Sequence, residues 1–182
     1  MTSNLNSDES KAIRFACLMS SSNLEASAEG YKQMIKLCEK LGWRMYCEEL
    51  ITAIKNDKNL YKLLFNFLQE FSYNNLTKTS SSVETMDAYF LKLNPKDIQT
   101  ESLKIKEYSK QYYDAGNFSA FISVFNRFLV LIKNDLPESE LHIFLIKFVV
   151  SCIIKKQFDI GLSEISKLKQ QYHNHDISIY LL

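Results

Sequence analysis

The histidines are the side chains of this sequence best suited to metal binding or proton transfer. His173 and His175 are separated by one residue, which places two rings on different faces of a helix, and no carboxylate–histidine pattern surrounds them. His142 lies at the start of an apolar stretch, where it marks the edge of a buried helix rather than a general base. The histidine spacing therefore predicts a solvated C-terminal turn and no metal site.

The cysteines are too widely spaced for a zinc site or a redox pair. No two of them form a C-x-x-C motif, and each has apolar neighbours at helical positions: Cys17, Cys38, Cys47 and Cys152. Cysteine in such surroundings behaves as a small apolar residue. We expect free, buried thiols.

Other patterns typical of enzymes are missing from the sequence. The four glycines are isolated, so no phosphate-binding loop is present, and no G-x-S-x-G nucleophile motif occurs. Glu138 and Glu140 follow Pro137, where the dipole of a new helix favours negative charge. The sequence therefore predicts a protein that is not an enzyme and has no cofactor.

The basic residues are dispersed, and the formal net charge is only +1. A solvated surface is the simplest interpretation of that pattern. One alternative stays open, a helical nucleic-acid-binding protein that uses a small basic patch on the last helical hairpin: Lys147, Lys155, Lys156, Lys167 and Lys169.

The elements that position these side chains are predicted to be helices. The chain has 182 residues, of which 46% are hydrophobic, but only 4 Gly and 2 Pro. Because turns between strands consume Gly and Pro, this composition favours few turns and long helices. The fold class is therefore all-α, with about nine helices in antiparallel hairpins. Apolar periodicity places them near 9–20, 24–41, 43–55, 59–72, 82–92, 95–115, 118–133, 137–155 and 158–172, with a short helix after Asp176.

The polar residues between these helices predict a division of the chain. Residues 1–8 are expected to form a flexible tail, residues 9–72 an N-terminal helical lobe, residues 73–82 a loop and residues 83–182 a second lobe. The N-terminus has no apolar signal segment, and the 14-residue apolar stretch 141–154 is too short to span a bilayer. These features predict a cytoplasmic or nuclear protein without a membrane partner.

A 40-residue repeat organises the second lobe. The segment beginning at Phe118 aligns with the one beginning at Phe158, and apolar positions coincide along both helices. With Tyr112, Gly116, Asn117 and Phe125, this pattern resembles a degenerate tetratricopeptide-like repeat over residues 100–172. It also resembles, more weakly, the helical arms of subunits of the proteasome lid and COP9 signalosome. The resemblance implies a right-handed α-solenoid within a eukaryotic multiprotein complex.

Aromatic residues are abundant, with 12 Phe and 10 Tyr, and a helix over residues 60–71 is apolar nearly all round. A helix of that kind is either buried on two sides or part of an interface. We therefore expect a scaffold or adaptor subunit that binds another protein, with self-association as a further possibility. The candidate contact residues are Tyr108, Tyr112 and Tyr113 near a groove, with Phe65 and Phe71 at a second surface.

Overall fold

The computed structural model describes residues 7–71 and 80–171, and the chain is helical in both stretches. They contain no strand, which confirms the all-α prediction. Within them lie nine α-helices: α1 (Ser7–Met19), α2 (Leu24–Leu41), α3 (Arg44–Asn56), α4 (Lys58–Glu70), α5 (Ser80–Lys92), α6 (Ser102–Asp114), α7 (Phe118–Val124), α8 (Glu138–Ile154) and α9 (Phe158–Gln171). Residues 1–6 of the predicted tail, residues 73–79 of the predicted loop and the predicted helix after Asp176 lie outside the described residues.

Three hairpins share one turn geometry. Gly42, Gly116 and Lys156 each have a left-handed backbone, with φ of 74°, 75° and 57°. In each turn the following amide reaches back five residues to a helical carbonyl, from Trp43 N to Cys38 O, from Asn117 N to Tyr112 O and from Gln157 N to Cys152 O. These bonds satisfy carbonyls that the end of a helix would otherwise leave unpaired. The 40-residue period seen in the sequence thus reappears as the same turn at positions 116 and 156.

The predicted helix over residues 95–115 is wrong in its first part. Asn94 accepts a hydrogen bond from Lys96 N and begins only a short 3₁₀ turn, Pro95–Asp97, before α6 starts at Ser102. The Thr100 hydroxyl donates to the carbonyl of Asp97 at 2.9 Å. A side chain that binds a nearby carbonyl competes with helical hydrogen bonding, which accounts for the interruption.

The predicted helix over residues 118–133 is also interrupted. Regular α-helix ends at Val124, and Phe125–Leu129 form a π-helical turn in which Val130 N donates to Phe125 O at 3.2 Å. The wider turn rotates the side chains that follow it. Phe125 stacks on Phe148 with ring centres 4.1 Å apart, and Phe128 stacks on Phe90 at 5.4 Å. Tertiary aromatic packing therefore accompanies a bulge that apolar periodicity alone does not reveal.

One continuous hydrophobic core includes residues of both predicted lobes. Trp43 lies at its junction, with its ring edge-on to Tyr113 at 5.6 Å and to Phe118 at 4.9 Å. Helices adjacent in sequence pack together from α1 to α4 and from α6 to α9, and α1 also packs against α8. The division into lobes and the right-handed superhelix stay predictions.

Candidate partner-binding grooves

The largest groove that we describe lies between α2 and α4, and local capping fixes where both helices begin. The Asn23 side chain accepts from Ala26 N at 3.0 Å, and the Asp57 side chain accepts from Leu60 N at 3.1 Å. Such caps satisfy amides that have no helical partner. Beyond the caps, each helix turns one face to the core, with Met34 and Ile35 from α2 and Leu64 from α4.

The two flanks of α4 on either side of buried Leu64 stay partly open. Leu63 is 48% exposed and Phe65 is 43% exposed, although neighbouring Leu60 and Leu64 are buried. The helix therefore has more apolar side chains than the described core buries. Exposed apolar surface of this kind is typical of a contact site.

The α2–α4 groove has a volume of about 630 Å³. Its apolar lining consists of Ala28, Leu63, Leu64, Phe67 and Phe71. Its polar and charged lining consists of Glu25, Glu29, Lys32, Lys36, Glu39, Asn66 and Glu70. The Lys32 ammonium lies 5.9 Å from the centre of the Phe67 ring. The groove thus combines apolar side chains with charged ones.

The two phenylalanines predicted at a second surface take different positions. Phe71 is half-buried and lines the α2–α4 groove. Phe65 is on the same helix but does not line the groove, and its ring lies edge-on to Tyr61 at 5.7 Å. The sequence identified the helix, but the exposed Leu63 at its centre was missed. The sequence pattern could have identified Leu63, because this residue belongs to the same apolar run.

Two of the three tyrosines predicted near a groove are core residues, and this corrects the expectation. Tyr112 is buried, and its hydroxyl donates to the Asp87 carboxylate. Tyr113 is buried between Trp43 and Phe118. Burial keeps the proton on both phenols and raises the pKa of each well above its usual value. These rings are already occupied by contacts within the chain.

Tyr108 is half-buried and packs on its neighbours. Its ring lies edge-on to Tyr89 at 5.1 Å, and the Lys104 ammonium lies 5.8 Å from its centre. A smaller groove of about 320 Å³ runs between α6 and α8, but Tyr108 does not line it. Its lining is Lys106, Glu107, Lys110, Glu140, Ile143, Phe144 and Lys147. Of this set, the sequence pointed only to Lys147, as part of a basic patch, and to Glu140, as an acidic residue at a helix start.

The predicted basic patch is partly neutralised. Lys147 lies 3.6 Å from the Asp114 carboxylate, and Lys155 lies 2.6 Å from Glu49 on α3. Lys156 is exposed at the left-handed turn position. Lys167 and Lys169 belong to α9, but their side chains are outside the part that the structure describes. Because a phosphate backbone binds unpaired cations, the two ion pairs weaken the nucleic-acid alternative.

Burial is the largest cause of the raised pKa values of the thiols and phenols of the core. Burial raises the pKa of the Cys47 thiol to about 11 and that of the Cys152 thiol to about 12. Cys38 is also buried and its pKa lies well above the usual value, whereas Cys17 is exposed, which corrects the expectation that all four thiols are buried. Among the described residues, no group of three or more His, Cys, Asp or Glu side chains could hold a metal ion. His173 and His175 lie outside those residues.

Comparison with known proteins identifies no relative: no family model, no curated protein and no solved structure matches this chain. None of the helices in residues 7–71 and 80–171 is both long enough and apolar enough to cross a membrane.

Proposed function

We propose that the protein is a non-enzymatic adaptor that binds another protein in the α2–α4 groove. It would act as a subunit of a multiprotein complex in the cytoplasm or nucleus, as the tetratricopeptide-like pattern of the sequence implies. The observation that carries the proposal is the exposure of Leu63 beside Phe67 and Phe71 in a groove of about 630 Å³. Removing such apolar surface from water supplies the driving force for association.

The shape of the site supports a segment of polypeptide as the ligand. Two packed helices leave a linear channel between them, and amphipathic helices bind such channels through apolar anchors one turn apart. Leu63 and Phe67 of α4 and Phe71, which directly follows the helix, are spaced by four residues and therefore form one stripe. Aromatic side chains near the centre of an interface contribute most of the binding free energy.

The test compares two leucines that differ only in location. Leu63 lies in the groove, whereas Leu91 at the end of α5 is 82% exposed and does not line it. Tagged wild type, Leu63→Asp and Leu91→Asp are purified from cells, and the bound proteins are quantified by mass spectrometry. We expect a specific partner to be lost from Leu63→Asp and kept by Leu91→Asp.

The fold of both variants is checked by circular dichroism and thermal unfolding, because Leu63 is about half buried whereas Leu91 is largely in solvent. Equal recovery of every bound protein by wild type and Leu63→Asp would contradict the proposed function.

A further inference from the structure

We propose that the segment bound in the α2–α4 groove is a basic amphipathic helix. The proposal rests on the proposed function of the groove and names the chemistry of its partner. Four carboxylates line the groove, those of Glu25, Glu29, Glu39 and Glu70, against the two ammonium groups of Lys32 and Lys36. Two negative charges are therefore in excess within a chain whose overall formal charge is +1.

The acidic side chains of the groove form no ion pair with a lysine in the part of the chain that the structure describes. Within the described residues, the ion pairs closer than 4 Å include none of the four groove glutamates. Glu29 accepts a hydrogen bond from the neutral amide of Gln33 at 2.5 Å. Lys32 lies over the ring of Phe67. The negative charge is thus directed to solvent, where it can pair with a ligand.

The charges follow a regular stripe along α2. Glu25, Glu29, Lys32, Lys36 and Glu39 are separated by four, three, four and three residues, so they lie on one helical face. At 1.5 Å per residue this stripe is about 21 Å long. A partner helix of about 15 residues would span it, with lysine or arginine near its ends to meet Glu25 and Glu39.

The apolar stripe of α4 determines the other face of the partner. Leu63, Phe67 and Phe71 extend over about 12 Å at 1.5 Å per residue. A helix presents apolar side chains at a matching separation when they recur at every third or fourth position. A partner that is basic on one face and apolar on the other satisfies both sides of the groove. A nucleic acid would not satisfy both sides of the groove, because its phosphates would face the carboxylates.

Three synthetic 15-residue helices serve as probes, since the natural partner is unidentified. All three carry the same leucine and phenylalanine stripe, and the polar face is built from lysine, glutamine or glutamate. Binding to the full chain is measured by fluorescence anisotropy at low and high salt. We expect the lysine peptide to bind at least about tenfold more tightly than the glutamate peptide, with a difference that salt reduces.

A charge-matched pair of variants locates the effect. Glu25→Gln/Glu29→Gln/Glu70→Gln removes three charges from the groove, and Glu84→Gln/Asp135→Asn/Asp159→Asn removes three exposed charges that line neither groove. The groove variant should bind the lysine peptide about tenfold more weakly, because each surface contact contributes a few-fold. The control should bind within about twofold of wild type.

The remaining outcomes separate this inference from the proposed function. Equal binding of the three peptides, abolished by Leu63→Asp, would overturn the basic partner and leave the groove as a binding site. Failure of all three peptides to bind would also overturn the basic helix, while the proposed function is judged by the Leu63→Asp purification. A dimer of wild type that Leu63→Asp converts to a monomer would identify a second copy as the occupant and overturn the inference.

Discussion

Gly116 lies directly against the backbone of Trp43. A Cβ atom added at Gly116 would be 2.9 Å from Trp43 Cβ and 3.0 Å from Trp43 Cα. Beside this contact, Met45 N donates to Ala115 O at 3.0 Å. The turn that follows α6 and the turn that precedes α3 are therefore joined backbone to backbone, and no side chain larger than hydrogen fits between them.

Gly116→Ala is expected to destabilise the protein by about 2–4 kcal/mol. The left-handed conformation costs a residue with a Cβ about 1–2 kcal/mol, and the overlap with Trp43 adds to that cost. Gly42 provides the control, because its φ is 74° but no atom lies within 4 Å of a Cβ there. Gly42→Ala should therefore lose only about 1 kcal/mol. Urea unfolding measures both, and equal losses would contradict the contact.

Tyr112 and Tyr113 should respond differently to removal of their hydroxyl groups. The Tyr112 hydroxyl donates to Asp87, whereas the buried Tyr113 hydroxyl has no hydrogen-bond partner among the described residues. Tyr112→Phe should cost about 1–3 kcal/mol because it leaves the Asp87 carboxylate without its donor. Tyr113→Phe should be neutral or stabilising. Unfolding free energies in urea decide between them, and a larger loss for Tyr113→Phe would refute this assignment.

Thiol labelling should distinguish Cys17 from the other cysteines. Cys17 is exposed, and Cys38, Cys47 and Cys152 are buried. A thiol reagent at pH 8 should therefore modify one cysteine rapidly in the native protein and all four in denaturant, because the reacting thiolate must be accessible. Mass spectrometry of the labelled protein counts and locates the sites. Cys17→Ser should remove the rapid phase, and a remaining rapid phase would contradict the buried positions.

Stability should fall as the pH rises above about 9. The pKa of Cys47 is about 11 and that of Cys152 about 12 in the folded state, against an ordinary value of 9.0 in the unfolded chain. Between these values the unfolded chain loses protons that the native state keeps, so alkaline pH favours unfolding. The two thiols together should cost roughly 2–3 kcal/mol by pH 10.

Urea unfolding at pH 8 and pH 10 measures this dependence, with Cys152→Ser as the comparison. Serine does not titrate in this range, so the variant should show a smaller loss of stability between the two pH values. If Cys152→Ser loses as much stability as wild type between pH 8 and pH 10, the Cys152 thiol does not contribute to the pH dependence.

The helices were predictable because their signals are local. Apolar periodicity and the punctuation by Asn23, Gly42 and Gly116 place most helix ends within two residues of those observed. The exceptions are the late start of α6 and the π-helical turn at Phe125. The first depends on a side chain that competes for a backbone carbonyl, and the second depends on contacts between residues distant in the chain. Apolar periodicity records neither of them.

The candidate site was predictable only in part. The apolar run over residues 60–71 predicted an interface helix and included Phe71, which lines the groove. Tyr112 and Tyr113 were misplaced because the sequence does not say which helix covers an aromatic face. The structure supplies that cover, with Asp87 binding the hydroxyl of Tyr112 and Trp43 contacting the ring of Tyr113.

The sequence by itself determined the helices, their turns and a 40-residue repeat, because backbone propensity, capping and apolar periodicity act over a few residues. Only the tertiary structure decided which copy of a repeated residue is buried. Phe118 and Phe158 occupy the same position in the repeat, but Phe118 is 1% exposed and Phe158 is 54% exposed. Trp43 and Tyr46 of the first half of the chain cover Phe118. Whether a residue is buried depends on which distant part of the chain packs against it, and no local pattern contains that information.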